Sequence, residues 1–207
     1  DSTRGEVHFM EGDITQIPSE AVVLPMNADR YVGLVAGLVS DTIAQYTDKD
    51  GSEVDDLIFP SKEDLSSEPD HGVGQAYAKQ LKGIRTPAAW KYVMSAVIQE
   101  ERFDEVIEDN IYRALKDALR KADQLRIASV TVASLRRSTP LSSASRDGSA
   151  RAARRAIEEF LVETPKTAIK TITFVSTNDR THRAFLRAWG IRQIIKKGRN
   201  LPKPVGP

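Results

Sequence analysis

The chain has 207 residues, of which 40% are hydrophobic and 29% are charged, and its formal net charge is +1. This length and composition are typical of one globular domain and exclude a disordered chain. The small net charge provides no global field that would draw the chain to nucleic acid or to a membrane. The sequence has no cysteine, which excludes disulfides, zinc–thiolate sites and a cysteine nucleophile and is compatible with a cytoplasmic location.

The sequence shows no membrane-spanning or secretory segment, and its ends suggest how the chain is divided. No apolar run approaches the roughly 20 residues of a membrane-spanning helix, and no signal peptide is visible. The chain begins at Asp1 without methionine and ends in a Pro- and Gly-rich stretch over 197–207. We therefore expect a segment of a longer protein or a processed chain, with a single domain over 1–196 followed by a tail.

Two short apolar runs predict the first strands. Residues 7–10 lead into Gly12-Asp13, and residues 21–26 are continuously apolar and lead into Asn27. A continuous apolar run is typical of a strand that is covered on both faces. Residues 33–46 then predict a helix, whose two glycines allow a close approach of the backbone to a ligand.

An acidic segment, defined here as residues 47–72, follows this helix. It contains nine acidic side chains and few apolar ones, and we expect a solvated excursion from the domain. A lid or a partner-binding insertion is the alternative. The spacing of the acids does not match a calcium-binding EF-hand loop. Residues 57–60 carry Leu57, Ile58 and Phe59, which we expect to anchor the segment to the body of the domain.

The rest of the chain alternates between predicted strands and helices. Strands are expected at 74–81, 89–98, 126–133 and 169–175, with an edge strand at 191–195. Helices are expected at 104–124, from Asp147 or Ser149 to about 161, and at 179–190, with N-caps at Asp104, at Asp147 or Ser149, and within 176–179. In the first of these helices, Lys116, Arg120 and Lys121 are expected on a solvated face. The alternation predicts one α/β domain with a mixed sheet between helix layers.

Asp13 and Asn27 each follow a predicted strand and are the best candidates for a binding pocket. Ligands of open α/β sheets gather at the carboxyl ends of the strands. A carboxylate there accepts a hydrogen bond from an adenine amino group, and a carboxamide bonds a ribose hydroxyl. Backbone N–H groups at the start of the helix at 33–46 suit a diphosphate. At both positions a turn residue remains the structural alternative.

Three motifs in order resemble the macro domain, the ADP-ribose-binding fold. The chain reads Gly-Asp-Ile-Thr at 12–15, Val-Val-Leu-Pro-Met-Asn at 22–27 and Gly-Leu-Val-Ala-Gly at 33–37. The family typically reads GDIT, then VNAAN, then a glycine-rich GGGV-A-G that leads into a helix. The resemblance implies a three-layer α/β/α macro-domain-like fold with a mixed central sheet, which binds ADP-ribose or a related adenine nucleotide.

The resemblance also implies roles for individual residues. Asp13 would bind the adenine amino group, with the backbone of Ile14 beside it. Asn27 falls on the last Asn of the family motif, which contacts the distal ribose and matters for hydrolysis in active members, so it is the implied catalytic residue. The remaining implied ligand-binding residues are Gly33, Val35, Ala36, Ser134, Leu135, Arg136 and Asn178. Capping of the last helix explains Asn178 equally well.

The chain departs from the family pattern where catalysis would take place. Leu24 replaces the first Asn, and Gly33 is followed by Leu34 and Val35 instead of two further glycines. The loop expected to hold phosphate, residues 133–140, contains no glycine, although glycine adopts the conformations of such a loop at low cost. Arg136 or Arg137 would replace the loop as charge-assisted donors, or would face water.

Three functions follow from these observations. The first is a module that binds ADP-ribose or a related adenine nucleotide. The second is a hydrolase that removes ADP-ribose from proteins, or phosphate from ADP-ribose phosphate, with an ordered water and the substrate's own phosphate. The third is a macro-like fold that has lost nucleotide binding and contacts RNA or protein through a set of arginines: Arg136, Arg137, Arg146, Arg151, Arg154 and Arg155.

No metal site, cofactor or membrane partner is expected. His8, His71 and His182 are too scattered in the sequence for a metal site or a catalytic triad. No dinucleotide fingerprint or P-loop motif occurs in the sequence. If the chain is an enzyme, the resemblance implies a hydrolase that acts on ADP-ribosyl linkages and needs no added cofactor.

Overall fold

The computed structural model describes residues 5–30, 34–47, 49–99, 108–135 and 146–191. Within these ranges six strands form one sheet in the order β1-β6-β5-β2-β4-β3. The strands are β1 (Glu6–Glu11), β2 (Ala21–Asn27), β3 (Ala76–Gln80), β4 (Tyr92–Gln99), β5 (Ser129–Ala133) and β6 (Thr171–Ser176). All neighbouring strands are parallel except β3, which is antiparallel to β4. The carboxyl ends of five strands therefore share one edge of the sheet, called the carboxyl edge below.

Helices cover both faces of this mixed sheet. They are α1 (Leu34–Ala44), α2 (Gly51–Ile58), α3 (Lys62–Ser66), α4 (Glu108–Gln124), α5 (Arg146–Glu163) and α6 (Asp179–Ala188). Apolar residues of α1, α2 and α3 share one buried cluster with the sheet, and those of α4, α5 and α6 share a second one. The expected three-layer α/β/α architecture with a mixed central sheet is confirmed.

The cluster under α4, α5 and α6 is built from helix faces with a period near 3.6 residues. Ile111, Leu115 and Leu119 of α4 are fully buried, as the spacing of apolar residues predicts. An aromatic group closes the cluster beside β1, where the ring centroids of Phe9 and Trp189 lie 4.9 Å apart. The described part of the chain contains no helix that is long and apolar enough to cross a membrane.

The acidic segment is more structured than a solvated excursion, so that expectation is corrected. It forms α2 and α3, each begun by a capping box at Asp50 and at Ser61. Three of its apolar side chains, Val54, Ile58 and Leu65, are buried in the cluster beneath α1. The anchor expected at 57–60 is confirmed. Glu53, Asp56, Glu63 and Asp64 are exposed on the outer faces of these helices, so a composition rich in acids hid the amphipathic pattern.

Lys116 is not on a solvated face as expected, because it is only 8% exposed. Its Nζ donates hydrogen bonds of 2.9 Å to Glu159 and 2.7 Å to Glu163 on α5. The pKa of Lys116 is raised, chiefly by its hydrogen bond to Glu163 and secondly by its hydrogen bond to Glu159. Hydrogen bonds from Tyr112, Lys116 and Arg155 lower the pKa of Glu159 to about 2. The ionic network joins α4 to α5, and sequence periodicity alone gave no sign of the partners.

The predicted helix ends were correct in part. Asn178 caps α6, because its Oδ1 accepts hydrogen bonds from the backbone N–H groups of Arg180 and Thr181. The expected cap at Asp147 or Ser149 is wrong, since α5 begins at Arg146 and both residues lie in its first turn. Asp104 and most of the expected edge strand at 191–195 lie outside the described residues.

Candidate functional site at the carboxyl edge

Backbone pairing brings several of the predicted site residues to the carboxyl edge. Glu11 of β1 is in register with Ser176 of β6, and the N–H of Gly12 donates to the Ser176 carbonyl at 3.1 Å. The segments that carry Asp13 and Asn178 therefore leave adjacent strands. β5 and β2 are also adjacent, so Ser134 and Asn27 leave the same edge. The sequence motifs that are far apart in the chain thus converge on one side of the sheet.

Asp13 is exposed and begins a short 3-10 helix, Ile14–Gln16. Its Oδ1 accepts a 2.9 Å hydrogen bond from the backbone N–H of Thr15. None of the hydrogen bonds among the described residues uses Oδ2. The cap fixes the orientation of the carboxylate at the carboxyl edge and leaves one oxygen able to accept a donor from a ligand.

The start of α1 packs beside this short helix. Ile14 and Ala36 belong to one apolar cluster together with Met26, Ala133 and Val175. Ala36 is buried and Val35 is half-buried in the first turn of α1, whereas Gly33 lies outside the described residues. The cluster thus supports the ends of β2, β5 and β6 from below and gives the edge a rigid apolar base.

Asn27, the last residue of β2, is 2% exposed. Neither Nδ2 nor Oδ1 of its side chain has a hydrogen-bond partner within the described part of the chain. A second buried carboxamide, Asn110, shows the usual arrangement: its Nδ2 donates to the Ile98 carbonyl at 3.3 Å, and its Oδ1 accepts from Arg113 at 2.7 Å. An unpaired buried amide costs about 1–3 kcal/mol. Asn27 therefore has the character of a group that is kept for a partner outside the chain.

Arg30 lies three residues after Asn27 and was not singled out from the sequence. Its N–H donates to the Asn27 carbonyl at 3.1 Å, which closes a turn, and its φ of 64° is unusual for a residue with a side chain. Its Nη2 lies 2.8 Å from Oδ1 of Asp56 on α2, and its Nε is buried without a partner among the described residues. In the sequence, the only feature that could have drawn attention to Arg30 is its positive charge between the second and third motifs.

The two described residues that follow β5, Ser134 and Leu135, are at least partly buried. Leu135 is 2% exposed and packs in the core beneath α5, so its side chain is not presented to a ligand. Ser134 is half-buried, and Arg136 and Arg137 lie outside the described residues. At the start of α5, Nε of Arg146 and Oγ of Ser149 are buried without partners among the described residues.

Contacts between helices place the start of α5 near the carboxyl edge. The amide of Asn110 in the first turn of α4 bonds Ile98 near the end of β4, so α4 begins at this edge. Arg151 of α5 lies 3.7 Å from Glu108 of α4, and Arg146 precedes it by more than one turn. Arg146 and Ser149 therefore belong to the same region of the molecule as Asn27.

Asn178 is exposed, and its Oδ1 is occupied by the cap of α6. Its Nδ2 remains a donor at the edge next to Asp13. His8 is exposed and lies 3.2 Å from Glu6, away from these residues along β1. Among the residues described, no group of three histidine or carboxylate side chains is placed to hold a metal ion.

The arginines of α5 form a groove rather than an open basic surface. An open groove of about 380 Å³ between α5 and α6 is lined by Asp147, Arg151, Arg154, Arg155, Glu158, Ala184, Arg187 and Ala188. Its arginines lie close to acids: Arg154 is 2.6 Å from Glu158 and Arg187 is 2.7 Å from Asp147. Of the arginines that motivated RNA contact, Arg151, Arg154 and Arg155 each lie within 4 Å of an acid, so their positive charge is compensated locally.

Solved structures of other proteins are similar to this architecture. No protein-family model and no curated protein sequence matches the chain, but solved structures do. The Oceanobacillus iheyensis macrodomain with ADP has a TM-score of 0.68 at 16% identity, over 92% of this chain and 93% of that chain. The Trypanosoma brucei macrodomain in complex with ADP-ribose has a TM-score of 0.64 at 16% identity, over 92% and 72%.

A third similar structure is the macrodomain of Mycobacterium tuberculosis DarG. Its TM-score is 0.57 at 16% identity, over 82% of this chain and 97% of that chain. The likeness to these structures is one of fold, since the identity is 16% for each of the three. The chain therefore has the fold of the macrodomains.

Proposed function

We propose that the chain binds ADP-ribose or a related adenine nucleotide at the carboxyl edge. The observation that carries the proposal is Asn27, whose buried carboxamide has a donor and an acceptor without partners in the described part of the chain. A ribose offers hydroxyl groups that both donate and accept, and so matches both atoms of the amide. Two of the similar macrodomain structures contain ADP-ribose and ADP, which supports this class of ligand.

Each end of the ligand has a matching group in the proposal. Oδ2 of Asp13 accepts the adenine amino group beside the backbone of Ile14, and Asn27 bonds the distal ribose. The first turn of α1, with Val35 and Ala36, approaches the diphosphate from one side, and Gly33 is assigned to it from the sequence alone. Ser134 and Leu135 approach it from the other side, Arg136 is assigned to it from the sequence alone, and Asn178 borders the adenine. In this arrangement Leu135 contributes its backbone only, because its side chain is in the core.

Binding is preferred to hydrolysis because of the chemistry of the available side chains. Asn27 orients a hydroxyl or a water but does not take up a proton at ordinary pH. Asp13 is exposed and already caps a helix, so it is a recognition group rather than a positioned base. Removal of ADP-ribose from proteins remains the second candidate, motivated by the match of Asn27 to the family motif.

Calorimetric titration of the chain with ADP-ribose tests the proposal. A micromolar complex corresponds to about −8 kcal/mol. Asp13→Ala and Asn27→Ala should each weaken binding by about tenfold or more, since a hydrogen bond to a charged or buried group contributes about 1.5–3 kcal/mol. Asp50→Ala, which removes the cap of α2 in the same way that Asp13→Ala removes a cap, is the matched control.

The outcomes are separable. Loss of affinity in Asp13→Ala and Asn27→Ala, with native affinity in Asp50→Ala, supports the pocket. If native protein gives no heat with ADP-ribose, ADP or AMP at millimolar concentration, the proposal is wrong. Turnover of an ADP-ribosylated protein by the native chain, lost in Asn27→Ala, would instead favour the hydrolase.

A further inference from the structure

Buried polar atoms without partners are concentrated in one part of the molecule. Nine such side-chain atoms occur in the described ranges, and five of them belong to Asn27, Arg30, Arg146 and Ser149. Asn27 ends β2 and Arg30 lies in the turn after it, whereas Arg146 and Ser149 lie in the first turn of α5, the helix that comes after β5 in the chain. β2 and β5 are hydrogen-bonded neighbours. Because each unpaired atom is costly when buried, their concentration at the end of β2 and at the start of α5 indicates a common missing partner.

We infer that Arg30 and Arg146 hold the diphosphate of the ligand through their side chains, one from the turn after β2 and one from the start of α5. The inference rests on the proposed function, since it names the groups that bind the central part of the same ligand. In the sequence, Gly33 is followed by Leu34 and Val35 instead of further glycines, and residues 133–140 contain no glycine, so few positions favour the backbone conformations that present N–H groups to phosphate. Guanidinium groups supply an alternative, because they donate charge-assisted hydrogen bonds to phosphate oxygens.

Arg30 has the geometry of a positioned donor. Its side chain is 23% exposed, and Asp56 holds Nη2 at 2.8 Å, so the guanidinium is oriented before any ligand arrives. Nε is buried and unpaired within the described part of the chain. The left-handed backbone at φ 64° and the hydrogen bond from its N–H to the Asn27 carbonyl fix the backbone of Arg30 in the turn that directly follows Asn27, whose amide we assign to the ribose. The phosphate nearer to the distal ribose is the acceptor that this placement favours.

Arg146 and Ser149 supply the second half of the clamp. Ser149 is 3% exposed, and its hydroxyl has no partner among the described residues, like Nε of Arg146. A hydroxyl donor and a guanidinium donor three residues apart lie on neighbouring turns of one helix face. The positive end of the helix dipole of α5, which has 18 residues, adds to their attraction for phosphate.

The clamp predicts selection for ligands with two linked phosphates. Two cationic side chains recognise the charge and spacing of a diphosphate, whereas a single phosphate satisfies only one of them. ADP-ribose and ADP should therefore bind much more tightly than AMP, and the difference should fall as salt screens the charges. Adenine recognition by Asp13 acts on all three ligands equally.

Titrations of ADP-ribose, ADP and AMP into the full chain test this inference. In native protein, ADP and ADP-ribose should bind at least tenfold more tightly than AMP. Arg30→Gln and Arg146→Gln should each reduce that ratio by about tenfold, mainly through weaker binding of the diphosphates. Arg126→Gln is the control for Arg30→Gln, because Arg126 is an exposed arginine that also closes a turn at positive φ, with an N–H bond to the Asp123 carbonyl.

Arg151→Gln is the control for Arg146→Gln, since Arg151 is an exposed arginine of the same helix. Thermal unfolding of every variant establishes that it is folded. If both Arg30→Gln and Arg146→Gln bind ADP-ribose as native protein does, the clamp is wrong and the pocket stands. The clamp is also wrong if Arg30→Gln and Arg146→Gln weaken the binding of AMP and of ADP by the same factor. If native protein binds none of the three ligands, the proposed function itself fails.

Discussion

Nη2 of Arg30 lies 2.8 Å from Oδ1 of Asp56, which ties the turn after β2 to helix α2 of the acidic segment. The arginine side chain is 23% exposed and the aspartate side chain is 77% exposed, so the arginine is largely enclosed and the aspartate faces solvent. The contact gives the acidic segment a structural relation to the candidate site. Asp56 orients the guanidinium and also competes for it with any anionic ligand.

Replacement of Asp56 should reveal which of these effects is larger. An exposed ion pair contributes about 0.2–1 kcal/mol, so we expect Asp56→Asn to tighten ADP-ribose binding by about two- to fivefold. The asparagine keeps the shape and removes the competing charge. Glu63→Gln removes one charge from the exposed surface of α3 and is the control for a general field effect. Calorimetry that shows weaker binding in Asp56→Asn would assign the aspartate a purely orienting role.

The buried asparagines Asn27 and Asn110 should respond in opposite ways to truncation. Asn110→Ala leaves the Ile98 carbonyl without its donor, so we expect a loss of about 1–3 kcal/mol in the free energy of unfolding and little change in ligand affinity. Asn27→Ala removes two unpaired atoms, so the unfolding temperature without ligand should stay the same or rise, while binding is lost. Thermal unfolding with and without ADP-ribose measures both effects. A large loss of stability in Asn27→Ala would contradict the assignment of Asn27 to a ligand.

The ionic network between α4 and α5 should make stability depend on acid pH. Hydrogen bonds from Tyr112, Lys116 and Arg155 lower the pKa of Glu159 from 4.5 to about 2 in the folded protein. A depressed carboxyl pKa stabilises the fold above pH 4.5, and the contribution disappears as the pH falls from 4.5 towards 2. Denaturant titrations at pH 6, 4 and 2.5 should therefore show a smaller decline in Glu159→Gln than in native protein.

Glu158→Gln is the matched control for this pH experiment. Glu158 is exposed on the same helix and pairs with Arg154 at 2.6 Å, outside the network around Lys116. We expect it to retain the native decline between pH 6 and pH 2.5. If Glu159→Gln and Glu158→Gln decline equally, the network does not carry the pH dependence.

Alanine substitution at two glycines with positive φ should distinguish the cost of backbone strain from the cost of a packing overlap. Gly72 has φ +75° and Gly83 has φ +76°, so alanine should cost about 1–2 kcal/mol at each from the left-handed backbone. A Cβ at Gly72 would also overlap the hydroxyl of Tyr77, whereas a Cβ at Gly83 has no neighbour within 4 Å. Gly72→Ala should therefore lose about 1–3 kcal/mol more than Gly83→Ala in urea unfolding. Equal losses would mean that the Tyr77 ring moves without cost.

The sequence by itself determined the strands, the helix faces and the order of the edge residues. Continuous apolar runs such as β2 need a two-sided core, and a strand that ends in Asn27 or Gly12-Asp13 places polar groups at one edge of a parallel sheet. These are local properties, because the period of side-chain direction follows from the backbone alone. The helices of the acidic segment were not predicted, because Val54, Ile58 and Leu65 are few apolar residues among many charged ones.

Only the tertiary structure decided which polar groups are paired. Lys116 is buried because Glu159 and Glu163, 43 and 47 residues later in the chain, neutralise it across two helices. Asn27 and Arg30 are unpaired at buried atoms because β2, α1 and α2 enclose them without supplying partners among the described residues. Pairing depends on distances between elements remote in sequence, which no spacing along the chain encodes.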